Sequence, residues 1–232
     1  MAAKVLCLQP VWASCFILLT TLTSPCVYAV TPADSLLAVE ADGDFVPIDG
    51  IPGVKVDLRY AGTGNFLGQD LYHEFNKAFL RSYAAAKLQN AAGELQKVRP
   101  GWRLLVLDAL RPKSVQQVLW AAVVGTPKQP YVANPAKGSI HNYGFAVDVT
   151  LLDSAGVEVD MGTPFDDFSP MAEPRKEGEF LKKGSLSTTQ LHNRRLLRAA
   201  MEQAGFIQLP LEWWHFDAMP AAEVRANFRV LE

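Results

Sequence analysis

The chain has 232 residues, 49% hydrophobic and 20% charged, a composition that excludes disordered and fibrous proteins and fits a globular one. Its formal net charge is −2, with no long block of one sign. That balance argues against nucleic acid and anionic membrane as partners.

Residues 1–29 read as a cleaved secretory leader. Lys4 precedes an apolar stretch from Val11 to Leu22, and Val27-Tyr28-Ala29 supplies small residues three back and one back from a break after Ala29. A retained anchor is the weaker reading, because Ser14, Thr20 and Thr21 interrupt a run shorter than the ~20 residues a span needs. Cleavage would put the mature protein outside the cytoplasm, in the periplasm, with no membrane attachment. Cys7, Cys15 and Cys26 all lie in this segment, so the mature chain is expected to have no disulfide and to depend on its core for stability.

Residues 30–53, with Pro32, Pro47 and Pro52, read as an extended lead-in, and a single domain is expected over 54–232. Val54, Val56, Leu58 and Tyr60 alternate with polar residues, the period of a half-buried strand. Between Tyr72 and Lys97, Leu80, Ala84, Leu88, Ala91 and Leu95 recur at helical spacing, which predicts a long amphipathic helix. Leu104-Leu105-Val106-Leu107 predicts a buried strand, and Pro112 then opens a helix running to about Val124. Arg111 therefore stands where strand hands over to helix.

Phe145, Val147, Val149 and Leu151 predict a strand carrying Asp148 on its other face, with Asp153-Ser154-Ala155-Gly156 turning into Val157-Glu158-Val159. Gly162 to about Ser187, with three prolines and no clear period, reads as a long loop of the kind that is often functional. Leu197, Ala200, Met201 and Ala204 mark a helix stopped by Gly205, followed by a last strand over Ile207–Leu209 and Trp213–Phe216. This order of elements indicates an α+β fold, a central antiparallel sheet with helices packed to one side.

Two of the four histidines have carboxylates close by in sequence, in Ser139-Ile140-His141-Asn142-Tyr143-Gly144-Phe145-Ala146-Val147-Asp148 and in Glu212-Trp213-Trp214-His215-Phe216-Asp217. His141, Asp148 and His215 would give one zinc ion per chain three ligands and leave a fourth position for water, the pattern of a catalytic site. His141 and Asp148 are seven apart, so a continuous strand would point them to opposite faces; Gly144 is the natural break, with His141 on the loop entering the strand. Glu212 lies three residues before His215 and needs a bulge or bend to face the same cleft. There it could take a proton from water and pass it to a leaving amine. Arg111 is the candidate for steadying a developing oxyanion. The ordinary alternatives are satisfied core or surface histidines and an arginine that simply starts a helix. Trp213 and Trp214 read as core, and His73 and His192 as solvated surface.

The blocks Ser-x-His-x-x-Gly-x-Ala-x-Asp at 139–148 and Glu-Trp-Trp-His-Phe at 212–216 resemble the VanX-like D-alanyl-D-alanine dipeptidases, relatives of D,D-carboxypeptidases and hedgehog-type domains. The resemblance continues through Asp57-Leu58-Arg59-Tyr60-Ala61 with Asn65-Phe66, Asp108-Ala109-Leu110-Arg111-Pro112, Met161-Gly162-Thr163-Pro164-Phe165-Asp166 and Asn193-Arg194-Arg195. It implies a hedgehog/D,D-peptidase-like fold, zinc on His141, Asp148 and His215, Glu212 as base, and Arg111 at the transition state. It also implies that Ser139 and Asp166 hold the free amino end of a small dipeptide, D-Ala-D-Ala; whether Asp166 or its neighbour Asp167 meets that amine is left open. Competing readings are a zinc D,D-carboxypeptidase or endopeptidase acting on peptidoglycan stems, and a non-catalytic zinc-binding module, against which Glu212 and Arg111 argue.

Overall fold

A computed structural model describes residues 30–232. The leader expected over 1–29, with its three cysteines, lies outside the described residues. Among those described, no helix is long and apolar enough to cross a membrane.

The stretch expected to be an extended lead-in instead opens with helix α1, Pro32–Ala41. Thr31 and Asp34 form a reciprocal capping box, and Pro32 sits at the first helical position, where its missing N–H costs nothing. Strand β1, Phe45–Pro47, follows and pairs antiparallel with β3, Phe79–Arg81, as a separate two-stranded ribbon. That pairing also corrects the start of the long helix. Leu80 belongs to β3, and helix α2 begins only at Ser82 and runs to Val98, burying Ala84, Leu88, Ala91 and Leu95. Strand β2 is shorter than its alternation suggests, Val54–Val56, because the chain turns at Arg59–Ala61 so that the Tyr60 carbonyl can accept from the amides of Leu71 and Tyr72.

Next come β4 (Arg103–Asp108), α3 (Lys113–Val123), β5 (Ala146–Leu152), α4 (Glu177–Lys182), α5 (Thr188–Gln203), β6 (Ile207–Gln208), β7 (His215–Asp217) and α6 (Ala221–Asn227). The five-stranded sheet has the order β2-β4-β5-β7-β6. The fold is α+β, and the sheet is antiparallel except at one edge, where β2 runs parallel to β4. A parallel neighbour requires a long crossover, and the segment containing α2 supplies it. The turn after β5 is as expected but its second arm is reduced to a bridge between Leu152 and Glu158. The long loop from Gly162 carries α4 and two short 3-10 turns, each with a proline at its start. Helix α5 is opened by a Ser187/Gln190 capping box and ends before Gly205, whose φ of 85° only glycine adopts without strain.

β5 is the central strand. Val147, Val149 and Leu151 are fully buried in one core with Leu88 and Leu95 of α2 and Leu197 of α5. Burying each such side chain contributes about 1.5–3 kcal/mol. The alternate residues of β5, Asp148 among them, face the other way, where the site lies.

Candidate metal and amine site

Register puts the candidate metal corner together. Asp148 in β5 pairs with His215 in β7 on one side and with Asp108 in β4 on the other, so three polar side chains stand in a row across adjacent strands. His141 reaches the same corner from a 3-10 turn, Ile140–Tyr143. That turn ends at Gly144 with φ 76°, and a Cβ there would lie 2.7 Å from the ring of Phe45. A residue with a Cβ would be strained in this left-handed conformation and would meet the Phe45 ring, which is why the chain breaks at a glycine. The turn is fastened further: Asn142 Nδ2 donates to the Arg111 carbonyl at 2.8 Å, and the Leu231 amide donates to the Asn142 carbonyl at 2.8 Å.

His141 Nε2 lies 3.1 Å from His215 Nδ1 and 3.3 Å from Asp148 Oδ1, which is itself 3.0 Å from His215 Nδ1. The other ring nitrogens are committed. His141 Nδ1 is 2.7 Å from the Ala109 carbonyl, and His215 Nε2 is 2.9 Å from the Asp217 carboxylate. Both partners are acceptors, so these nitrogens carry the hydrogens and the facing nitrogens present lone pairs. Three buried electron-pair donors converging this closely repel one another unless a cation lies among them. The same demand shows in proton affinity. Burial disfavours a charged His215, yet Asp148 and Asp217 outweigh it and hold the imidazole well above its usual pKa. Burial likewise opposes ionised Asp148, yet the two imidazoles hold it well below the carboxylate range. Two imidazoles and a carboxylate with their outer atoms fixed in this way fit a zinc-type ion.

Glu212 lies just before β7, in a bend at Trp213 and Trp214, and so shares a cavity with His215 although the two are only three residues apart. The bend, not a bulge inside a strand, solves the spacing. Burial raises the Glu212 pKa to about 8; His215 and Arg111 oppose the rise, and the Asp148 and Asp166 charges add to it.

Arg111 is 7% exposed. Asp108 accepts from its Nε at 2.8 Å and also from an Nη, while Gln116 Oε1 accepts from the other Nη at 2.8 Å. Asp108 is in turn bonded by the Tyr72 hydroxyl. Both Nη groups keep donor capacity for a ligand, and one lies 3.5 Å from Asp148 Oδ2. The guanidinium sits 4.9 Å from the centre of the Tyr60 ring.

Tyr60 also donates its hydroxyl to Asp166 Oδ1 at 3.1 Å, and the Phe66 amide donates to Asp166 Oδ2 at 3.2 Å. Asp166 has a φ of 60°, a conformation non-glycine residues rarely take. Burial raises its pKa to about 7, with a further push from Asp148, against the Phe66 and Tyr60 hydrogen bonds and the Arg111 charge. Asp166, not Asp167, lines the cavity.

The structure brings Arg111, Ser139, His141, Asp148, Asp166, Glu212 and His215 to one cavity of about 250 Å³. That is below the ~300–1,000 Å³ of sites for drug-sized ligands. Phe168 and Tyr131 wall it, stacked at 5.5 Å, and Phe66 meets Phe168 edge-on at 4.9 Å. Trp213 and Trp214 are core as expected, Trp214 also touching the cavity; His73 and His192 are exposed. Sequence reasoning missed Tyr60, Asp108 and Gln116. Tyr60 and Asp108 stand inside blocks that carried the family resemblance; Gln116 gave no signal.

The profile of a peptidase family, Peptidase_M15, described as D-ala-D-ala dipeptidase, matches residues 42–231. A D-alanyl-D-alanine dipeptidase of Escherichia coli K12 is 33% identical, over 74% of this chain and 82% of its own. Proteins of the same name from Synechocystis and Enterococcus faecium are 32% and 33% identical, over 74% and 72% of this chain and 79% and 86% of theirs.

Proposed function

Because the chain belongs to the Peptidase_M15 family of D-Ala-D-Ala dipeptidases, a metallopeptidase family, we propose that it hydrolyses free D-alanyl-D-alanine with one zinc ion held by His141, Asp148 and His215. The observation that carries this reading is the convergence of three buried lone pairs beside a buried glutamate in a cavity of dipeptide scale. A zinc ion held there supplies Lewis-acid polarisation of a carbonyl and lowers the pKa of water.

The chain's own groups do the rest. Glu212, whose raised pKa brings it near neutrality, accepts a proton from the attacking water and returns it to the leaving amine nitrogen. Arg111, clamped by Asp108 and Gln116, presents its remaining N–H donors where negative charge develops on the carbonyl oxygen. Asp166 is anchored by Tyr60 and Phe66 so that its free electron pairs can meet the substrate ammonium, with Ser139 assisting. A carboxylate at that depth acts as a ruler: a peptide extended beyond the amine, or with the amine blocked, loses the charge-assisted bond and leaves a buried carboxylate unpaired.

The leader pattern in residues 1–29 supports a periplasmic protein that recycles dipeptide released from the wall, in preference to depletion of a cytoplasmic precursor. The decisive assay compares free D-Ala-D-Ala with a pentapeptide stem. Rapid turnover of the dipeptide alone is expected; cleavage of the stem instead would make the protein a D,D-carboxypeptidase, and cleavage of neither a binding module.

A further inference from the structure

Resting on the reading of Asp166 as the group that meets the substrate amine, we propose that Arg194 is a positioning residue for that carboxylate, holding its loop in place from the far side. Asp166 sits between Met161 and Met171 on a stretch that makes no strand, and its φ of 60° is a strained backbone conformation for a non-glycine residue. Such a conformation persists only where its surroundings over-determine it. Besides Tyr60 and Phe66, which bond its carboxylate, those surroundings include one face of α5, which bonds the backbone on either side of it.

Arg194 Nε donates to the Met161 carbonyl at 2.7 Å, and one Nη donates to the Met171 carbonyl at 3.0 Å, so a single guanidinium fastens both ends of the loop. Its other Nη donates to Thr163 Oγ1 at 3.3 Å, which also accepts from Trp213 Nε1 at 2.9 Å, next to Glu212. Asn193 adds a bond to the Asp160 carbonyl at 2.9 Å. Gly162 permits the close approach: a Cβ there would stand 2.5 Å from Leu186 Cδ1.

The cost of this clamp argues that it serves a purpose. Arg194 is 1% exposed, and its nearest carboxylate, on Glu177, is 3.8 Å away. A buried guanidinium whose ion pair is this long is expensive, and an apolar side chain of similar size would satisfy packing alone. What an apolar residue, or a lysine, cannot do is reach two carbonyls on opposite ends of a loop, because that needs the rigid fork of arginine.

The test measures discrimination, a readout that a merely structural role leaves unchanged. Turnover of D-Ala-D-Ala is compared with that of propionyl-D-Ala, which has the same scissile amide and no amine, as a ratio of kcat/KM values in zinc-loaded protein. Wild type is expected to favour the free amine strongly. Arg194→Lys is expected to lower that ratio ~10- to 100-fold, the penalty for misplacing a binding group by about an ångström. Thr163→Val should lower it less. In the Arg194→Lys/Asp166→Asn double variant the ratio should fall no further than with Asp166→Asn alone.

An Arg194→Lys ratio equal to wild type, with both substrates slowed alike, would overturn the proposal, as would effects that multiply in the double variant. Should Arg194→Lys fail to fold, Thr163→Val and Asn193→Ala decide by the same ratio: a reduced ratio in either supports the clamp, and a wild-type ratio in both overturns it. If wild type itself shows no preference for the amine, the reading of Asp166 fails and the inference falls with it; preference in wild type kept in Arg194→Lys sinks the inference alone.

Discussion

At one end of the cavity Asp148 and His215 are cross-strand partners in β5 and β7, and His141 enters on a turn whose backbone is bonded to Arg111 and Leu231. At the other end Asp166 rides a loop in a left-handed conformation, its carboxylate bonded by Tyr60 and Phe66 and its loop bonded by Arg194 of α5 at Met161 and Met171. The first arrangement takes its precision from sheet register, which cannot shift by one residue without turning every side chain over. The second takes its precision from side chains that reach in from elsewhere. On the proposed reading, the corner of His141, Asp148 and His215 should tolerate little change of any kind, whereas the Asp166 end should be open to loosening by a distant substitution with metal binding kept.

The largest expected effect tests the metal end. Glu212→Gln should lower kcat on D-Ala-D-Ala by ~10²- to 10⁴-fold, the worth of a positioned proton carrier, with zinc content unchanged by elemental analysis. Activity within a few-fold of wild type would remove Glu212 from the chemistry.

The same residue makes a stability prediction for metal-stripped protein. Its folded pKa is raised, so the folded state holds a proton that the unfolded chain releases; this group's contribution to stability is full below pH ~4.5 and is lost as pH rises through about 8. Chelated Glu212→Gln escapes that loss. Its melting temperature should exceed that of chelated wild type at pH 9, by a difference worth a few kcal/mol, and match it near pH 4. Parallel pH profiles would show that the buried carboxyl is not under strain.

At the amine end, Asp166→Asn should cost ~10- to 100-fold in kcat/KM for the free dipeptide, the value of one charge-assisted bond. Asp166 is raised to about 7, so wild-type kcat/KM should fall as pH drops below about 7 and the carboxylate gains its proton. The asparagine variant should lose that component and keep only the limb set by Glu212, whose carboxylate must also be ionised to accept a proton. An identical acid limb in both proteins would take Asp166 out of the pH dependence.

The smallest effects separate the two ends most cleanly. Gly144→Ala and Gly162→Ala should each destabilise the fold by about 1–3 kcal/mol, since both add a Cβ where none fits. Only Gly144→Ala is expected to weaken zinc affinity, and only Gly162→Ala to reduce the preference for a free amine. Equal loss of zinc in both would mean that the two ends are mechanically one.

The contrast also explains what could be read from the chain. The grouping of His141, Asp148 and His215 was legible because metal chemistry demands particular residue types, and because strand alternation and Gly144 limit where they can point. The seven proposed site residues do share a cavity. The network behind Arg111 was not legible: Asp108, Gln116 and Tyr72 come from different elements, and no local period encodes their meeting. Arg194 reads as one more charge on an amphipathic helix until the Met161 and Met171 carbonyls appear beside it. The helix at Pro32–Ala41 had its signal, Thr31 with Asp34 around a proline, but three prolines in one stretch pointed to extended chain. Leu80 obeyed the helical period and still joined a strand, because β1 was there to pair with it. That β2 lies parallel to β4 depends on the α2 crossover, a tertiary fact.

The most direct test is to strip the metal, titrate zinc back, and follow D-Ala-D-Ala turnover. The expected result is no turnover in the stripped protein and a linear rise that breaks at about one zinc per chain, as a single three-ligand site requires. Turnover that persists without metal, or fails to return with it, would contradict a catalytic ion at His141, Asp148 and His215.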